Sequence, residues 1–322
     1  DRNRMPIYPG LIGLFYRPGM SDEAFFRRAK IVNVVLSLLL LAGTWFILRR
    51  WLPRAHTDLL TAVTAFTVFM FKAPYVQCEL LFYFLNFCAF VTMWRCLREP
   101  TLLRGGLAGL LAALAHLTKA AMLPAVALFG ICFLIGRLGS ALRKEADTRR
   151  RLPKEAAVLA LFIVIFLGVM SPYLATNHRK FGRVFYNVNS TFYVWTDSWD
   201  EAMAKTHAHG DARGWPDMPP EEIPSPGKYL REHSAAQIVN RVTTGARKML
   251  LLAYHTFGYF KYFALCLIMC LALLLQERGT VRGLTRRPGR TPLAAFLWLW
   301  FIGTFLLYAF YAQISISTRF FL

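Results

Sequence analysis

The sequence predicts an all-α polytopic membrane protein with about eight transmembrane helices and a long extracytoplasmic loop. Three observations carry that prediction. The composition is apolar, with 56% of the 322 residues hydrophobic, 17% charged and a mean hydropathy of +0.39, whereas about a quarter of the residues of a soluble domain are charged. The apolar residues gather into stretches close to the roughly 20 residues that a spanning helix needs. The cations, 38 Lys and Arg against 18 Asp and Glu for a net charge of +20, sort mainly into alternate connections between those stretches. The same composition excludes a disordered chain.

The stretches centre on residues 30–48, 57–74, 77–94, 105–119, 121–139, 156–175, 249–275 and 293–312. The first runs into Arg49 and Arg50, and the third begins on an acid in APYVQCELLFYFL. The fourth and fifth, GLAGLLAALAHLTK and AAMLPAVALFGICFLIG, nearly touch and read as two short helices meeting at one face. Four short connections are basic: those holding Arg49, Arg50 and Arg54; Arg95, Arg98 and Arg104; Arg137 through Lys154; and Arg278 through Arg290. Positive charge marks the cytoplasmic side. The N-terminal 29 residues, two tight turns, the segment 176–248 and the C-terminus are therefore expected outside. Arg27, Arg28 and Lys30 run against this pattern, because they sit at the outer end of the first stretch.

With the charge spent on orientation, no nucleic-acid partner is needed to explain it. Cys78, Cys88, Cys96, Cys132, Cys266 and Cys270 all lie in or beside apolar stretches, so no disulfide framework is expected. The organisation is one membrane domain in three parts: N-terminal helices over 1–175, an extracytoplasmic loop over 176–248, and C-terminal helices over 249–322. Because the sequence starts in an outer segment and stops in SISTRFFL, a further helix is expected at each end.

Within the loop, KYLREHSAAQIVNRVTTGARKMLL spaces Tyr229, Leu230, Ile238, Val239 and Val242 on roughly one helical face, as either an interfacial helix leading into the seventh stretch or a helix merely covering the bundle would. Long loops commonly carry function. Ionisable groups within or at the end of apolar spans are costly and point to function. Glu79, after Pro74, Tyr75 and Gln77, stands at the outer end of the third stretch; Lys119, with His116 and Thr118, stands at the outer end of the fourth; Arg319 stands on the same side. An acid and several bases thus converge on one face, although each taken alone equally fits an interfacial residue whose side chain reaches water.

These residues resemble a family. RMPIYPGLIGLFY (Arg4 to Tyr16) before a helix ending in Arg49-Arg50, the acid of APYVQCELLFYFL, GLAGLLAALAHLTK, SPYLATNHRKFGRVF with Pro172, Asn177, Phe181 and Gly182, and finally QISISTRFFL follow the order found in membrane glycosyltransferases of the GT-C class. That group includes protein O-mannosyltransferases and lipid A aminoarabinose transferases. The resemblance covers most of the chain and implies a GT-C-like fold at a bacterial inner membrane. It implies inverting transfer of a sugar, hexose or pentose, from a polyprenyl-phosphate donor to a lipid, glycan or protein acceptor on the periplasmic face.

Such chemistry needs a carboxylate near the acceptor and cations for the departing phosphate. By the resemblance, Lys119 and Arg319 hold the phosphate, Glu79 orients acceptor or sugar, His116 and Tyr75 line the substrate site, and Asn177 and Arg183 shape the loop over it. The family's catalytic base lies upstream of the stretch matching Arg4 to Tyr16, so no residue is assigned that role; Asp22 and Glu23 come after it. No cofactor is assigned, and assistance by a divalent cation is left open. The alternatives are a transporter or flippase for lipid-linked saccharide and a noncatalytic membrane scaffold.

Three weaker signals remain. His207, His209 and Asp211 form an HxHxD run able to hold a metal, although a solvated loop is the preferred reading. Asn189-Ser190-Thr191 fits a glycosylation sequon too short to weigh. Tyr186, Phe192, Tyr193, Trp195 and Trp199 suit an interfacial aromatic belt or sugar stacking. Walker, dinucleotide-binding, HExxH and GxSxG patterns do not occur, which leaves an ATPase, zinc protease or lipase without support.

Overall fold

The computed structural model describes residues 5–142, 148–187, 192–208, 218–219, 221–256 and 291–316. Among them every regular element is helical: α1 (Ile7–Gly13), α2 (Asp22–Leu48), α3 (Arg54–Thr64) continued by a π-helical turn (Ala65–Phe69) into α4 (Met70–Lys72), α5 (Glu79–Arg98), α6 (Leu102–Thr118), α7 (Leu123–Leu142), α8 (Thr148–Phe181), a 3-10 turn (Tyr193–Trp195), α9 (Trp199–Ala208), α10 (Pro226–Glu232), α11 (Ala235–Thr256) and α12 (Thr291–Tyr311). Helices lie over the expected apolar stretches as far as these are described; residues 257–275 of the seventh fall outside the described residues.

Among the described residues three helices, Asp22–Leu48, Glu79–Arg98 and Leu152–Phe181, are long and apolar enough to cross a membrane. Their surfaces fit lipid rather than water. Only 17% of the most apolar window of α2 is buried, and Val35, Leu38, Leu39 and Phe46 stand exposed along it, as Val164 and Leu167 do along α8. A soluble protein rarely leaves such a contiguous apolar face open.

Two helices have other bounds than the sequence suggests. α2 starts at Asp22, eight residues before its apolar stretch, because Ser21 caps it through a bond from Ala24 N–H and two acids occupy its first turn. Arg27, Arg28 and Lys30 therefore ride on a helical extension. α8 runs past residue 175 to Phe181 before Gly182, at φ +65°, ends it in the left-handed conformation. Pro172 inside this helix removes a donor from the ladder, and the Ser171 hydroxyl instead donates to Gly168 O at 2.7 Å.

α6 is the packing centre. Ala108, Ala112, Ala113 and Ala115 are fully buried, and its glycines bring α8 to backbone contact. A Cβ at Gly105 would stand 2.7 Å from Val158 O, and one at Gly109 would stand 2.5 Å from Phe162 O. The four-residue spacing of Gly105 and Gly109 on α6 is the small-residue register by which helices approach closely in lipid. Aromatic rings seal the far side: Phe129 meets Phe162 at 4.8 Å, and Phe296 of α12 stacks on Phe90 at 5.6 Å. Below this core, Arg137 of α7 bonds Glu155 of α8 at 2.8 Å and Leu97 O of α5 at 3.2 Å. One of the arginines read as an orientation mark is thus also a tie between three helices.

Candidate functional site

Glu79 is the first residue of α5 and only 5% exposed. The turn that delivers it is fixed from α2. Asn33, buried within that apolar helix, accepts the Tyr8 hydroxyl at 3.0 Å and donates to Ala73 O and Tyr75 O, both at 2.8 Å. One side chain thereby binds α1, α2 and the 73–77 turn together. The Tyr75 side chain itself is 58% exposed beside this turn.

Lys119 ends α6, where a cation complements the helix carbonyls. Its ammonium nitrogen is buried and lies 5.4 Å from the centre of the Phe82 ring, one helical turn into α5 from Glu79. The acid and the base therefore belong to the same end of the bundle. One turn back on α6, His116 is 3% exposed, with its ring edge-on to Phe166 at 6.5 Å and Phe185 at 6.4 Å. Its Nδ1 is buried without a hydrogen-bond partner among the described residues, which leaves a polar atom for a bound group.

The left-handed Gly182 turns the chain back over α8, with Arg183 half-buried at the reversal. Asn177 donates to Val184 O and Tyr186 O, each at 3.4 Å, and the Tyr173 hydroxyl donates to Tyr186 O. This brings Phe185 to His116 and lets Asn187 donate to Met5 Sδ at 3.8 Å, beside α1. The structure thus collects Glu79, Lys119, His116, Tyr75, Asn177 and Arg183 around one end of the bundle, although Tyr75 faces outward. Arg319 lies outside the described residues.

A second polar cluster follows from the loop and was not anticipated. Arg241 of α11 is 6% exposed and donates to Val194 O and Phe310 O, both at 3.0 Å, and to Asp197 at 3.3 Å. Its guanidinium lies 4.0 Å from the Phe310 ring centre and 5.0 Å from that of Tyr229. His233 stacks on Tyr229 at 3.9 Å and bonds Asp197 at 2.9 Å. The expected apolar face is corrected here: Leu230 and Val239 are exposed, while Tyr229, Arg241, Gly245 and Met249 are the buried positions. The helix breaks at His233, and Ser234 with Gln237 starts a new one through reciprocal capping bonds, so one face does not run through both pieces.

This cluster gives the loop a pH dependence. Burial alone would raise the Asp197 pKa, but the hydrogen bond and charge of His233, the Tyr229 hydroxyl and the Arg241 charge outweigh it and hold it below its ordinary 3.8. Burial would lower that of His233, but the bonds to Asp197 and Tyr229 O outweigh it and hold it above its ordinary 6.5. The Asp197 contribution is present above about pH 3.8 and lost on acidification; that of His233 is present below about pH 6.5 and lost as pH rises through its raised value. Protection factors over 226–241, referred to the intrinsic exchange rate at each pH, should accordingly be higher at pH 5.5 than at pH 8.5, and His233→Gln should abolish the difference. Equal protection factors in the parent at both values would refute the coupling.

Among the described residues no three of His, Cys, Asp and Glu lie together as metal ligands. His209 and Asp211 of the HxHxD run fall outside them, as do Cys266 and Cys270 and the sequon. Cys78, Cys88, Cys96 and Cys132 are free thiols. Comparison with family models, with curated proteins and with solved structures finds no match for this chain.

Proposed function

We propose that this chain is the membrane core of a GT-C-like glycosyltransferase that moves a sugar from a polyprenyl phosphate to an acceptor hydroxyl at the outer membrane face, with inversion. In this reading about eight spans cross a bacterial inner membrane. The end bearing Glu79 and Lys119 faces outward, and the end bearing Arg98, Arg104 and Arg137 faces the cytoplasm.

The observation that carries the reading is a buried Glu79 and a buried Lys119 ammonium at one end of α5 and α6, the ammonium against the Phe82 ring, at the positions the family resemblance marks. The reaction asks for such a pair. The acceptor oxygen attacks the anomeric carbon and passes its proton to a general base, a role given to no residue named here, while the carbon–oxygen bond to phosphate breaks and the phosphate departs with the electron pair. Lys119 holds that phosphate with Arg319 and stabilises the charge it gains. Glu79 orients the acceptor or sugar hydroxyls, and His116 offers its buried nitrogen to the same ligand. The turn shaped by Asn177 and Arg183 covers the site. The uncovered apolar faces of α2 and α8 suit a polyprenyl tail lying between protein and lipid.

The test is transfer by the purified full-length protein in liposomes, supplied with polyprenyl-phosphate hexoses and pentoses and with lipid, glycan and peptide acceptors. A glycosylated acceptor of inverted anomeric configuration, formed only when protein is present, is expected. Protein-independent product, or none from any donor, would overturn the proposal.

A further inference from the structure

Three cations at the start of α2 run against the charge pattern of the chain, and the structure accounts for two of them. Arg27 pairs with Glu23 at 3.3 Å, and Arg28 donates to Phe15 O at 3.2 Å. Lys30 has no carboxylate within ion-pair distance among the described residues; its ammonium lies 4.8 Å from the Phe26 ring centre. It lines a cleft of about 470 Å³ between α2 and the 74–77 turn, walled by Phe26, Pro74, Tyr75, Val76 and Gln77.

From these observations we infer that this cleft binds the headgroup of an anionic bilayer phospholipid. The chemistry is matched in each part. Lys30 supplies charge and three donors, the Tyr75 hydroxyl and the Gln77 amide supply further donors, and the lining contains no acid. Phe26, Pro74 and Val76 offer an apolar wall for the glycerol end of the acyl chains. The cleft sits where a headgroup would, because Lys30 lies at the edge of the apolar part of α2 and the 74–77 turn precedes the buried start of α5. It is also rigidly built, since Asn33, one turn along α2 from Lys30, holds the turn by two hydrogen bonds. A lipid bound there touches the segment that positions Glu79. The inference requires the chain to lie in a membrane but not to transfer sugar.

The experiment is a native mass-spectrometry titration of the full-length protein in detergent with phosphatidylglycerol and, separately, phosphatidylcholine. A juxtamembrane lysine contributes about fivefold to anionic-lipid affinity. Lys30→Gln should therefore weaken phosphatidylglycerol binding about fivefold and leave phosphatidylcholine binding unchanged. Arg27→Gln, whose cation is already paired outside the cleft, should match the parent. Both side chains are on the surface, so neither change should move the melting temperature. Equal phosphatidylglycerol affinity in parent and Lys30→Gln would overturn the inference. So would an equal loss in Arg27→Gln, which would mean charge without a site, or competition by inorganic phosphate at the lipid's own concentration, which would mean a free-anion site. Failure of sugar transfer leaves these outcomes unchanged.

Discussion

Replacing Lys119 by Ala in the full-length protein is expected to lower the rate of sugar transfer by about 100-fold or more, the usual cost of deleting one group that meets charge developing in a transition state. The loss should fall on kcat more than on KM, because the phosphate gains charge as it leaves. Lys119→Arg should recover part of it, since a guanidinium also bonds phosphate. The ammonium nitrogen is sequestered against Phe82 at the end of α6, where a cation interacts far more strongly than in water. A variant that lost activity through misfolding would also lose its melting transition, so that measurement accompanies the kinetics. Unchanged kcat in a folded Lys119→Ala protein would remove the residue from the site.

The second large effect concerns the scaffold. Gly109→Val should weaken the α6–α8 contact by about 3 kcal/mol, the upper part of the usual overpacking range, and Gly105→Val should act in the same direction. A Cβ at Gly109 would lie 2.5 Å from the Phe162 carbonyl oxygen. That atom is helix backbone, so relief requires the helices to separate, opening the alanine-lined seam behind them. Gly106, where an added Cβ would meet the end of the Ile165 side chain at 3.1 Å, is the internal control and should tolerate Ala at a much smaller cost. Thermal unfolding of the detergent-solubilised variants reads the difference. A Gly109→Val protein as stable as Gly106→Ala would show that the close approach does not hold the bundle.

Much of this arrangement could be read from the sequence, for identifiable reasons. Apolar stretches flanked by Arg gave the helices, and acids or bases at their ends gave Glu79 and Lys119, because charge in lipid is costly enough to stand out in a single sequence. Gly182 and Asn177 were marked by resemblance, and the structure supplies their physical roles, a left-handed helix end and a clasp on the returning chain. Asn33 was overlooked although it carries the same kind of signal, a lone amide inside an apolar helix. Arg241 was less accessible. A cation on an amphipathic helix reads as solvent-facing, and its burial depends on Val194 and Phe310, 47 and 69 residues away in the chain. The break at His233 misled the helical wheel for a local reason: the Ser234–Gln237 capping pair restarts the helix in a new register.

In the proposed reaction Glu79 and Lys119 serve one site on a lipid-phosphate sugar. This is tested most directly by the transfer rate of the reconstituted full-length protein with a labelled polyprenyl-phosphate sugar, comparing the parent, Glu79→Gln, Lys119→Ala and the double variant. Groups that act as a unit are strongly non-additive. Each single change is expected to lower the rate by about 100-fold or more, and the double variant to be little slower than the slower single one. Parent-like transfer by either folded single variant, or losses that multiply in full in the double variant, would contradict a shared site.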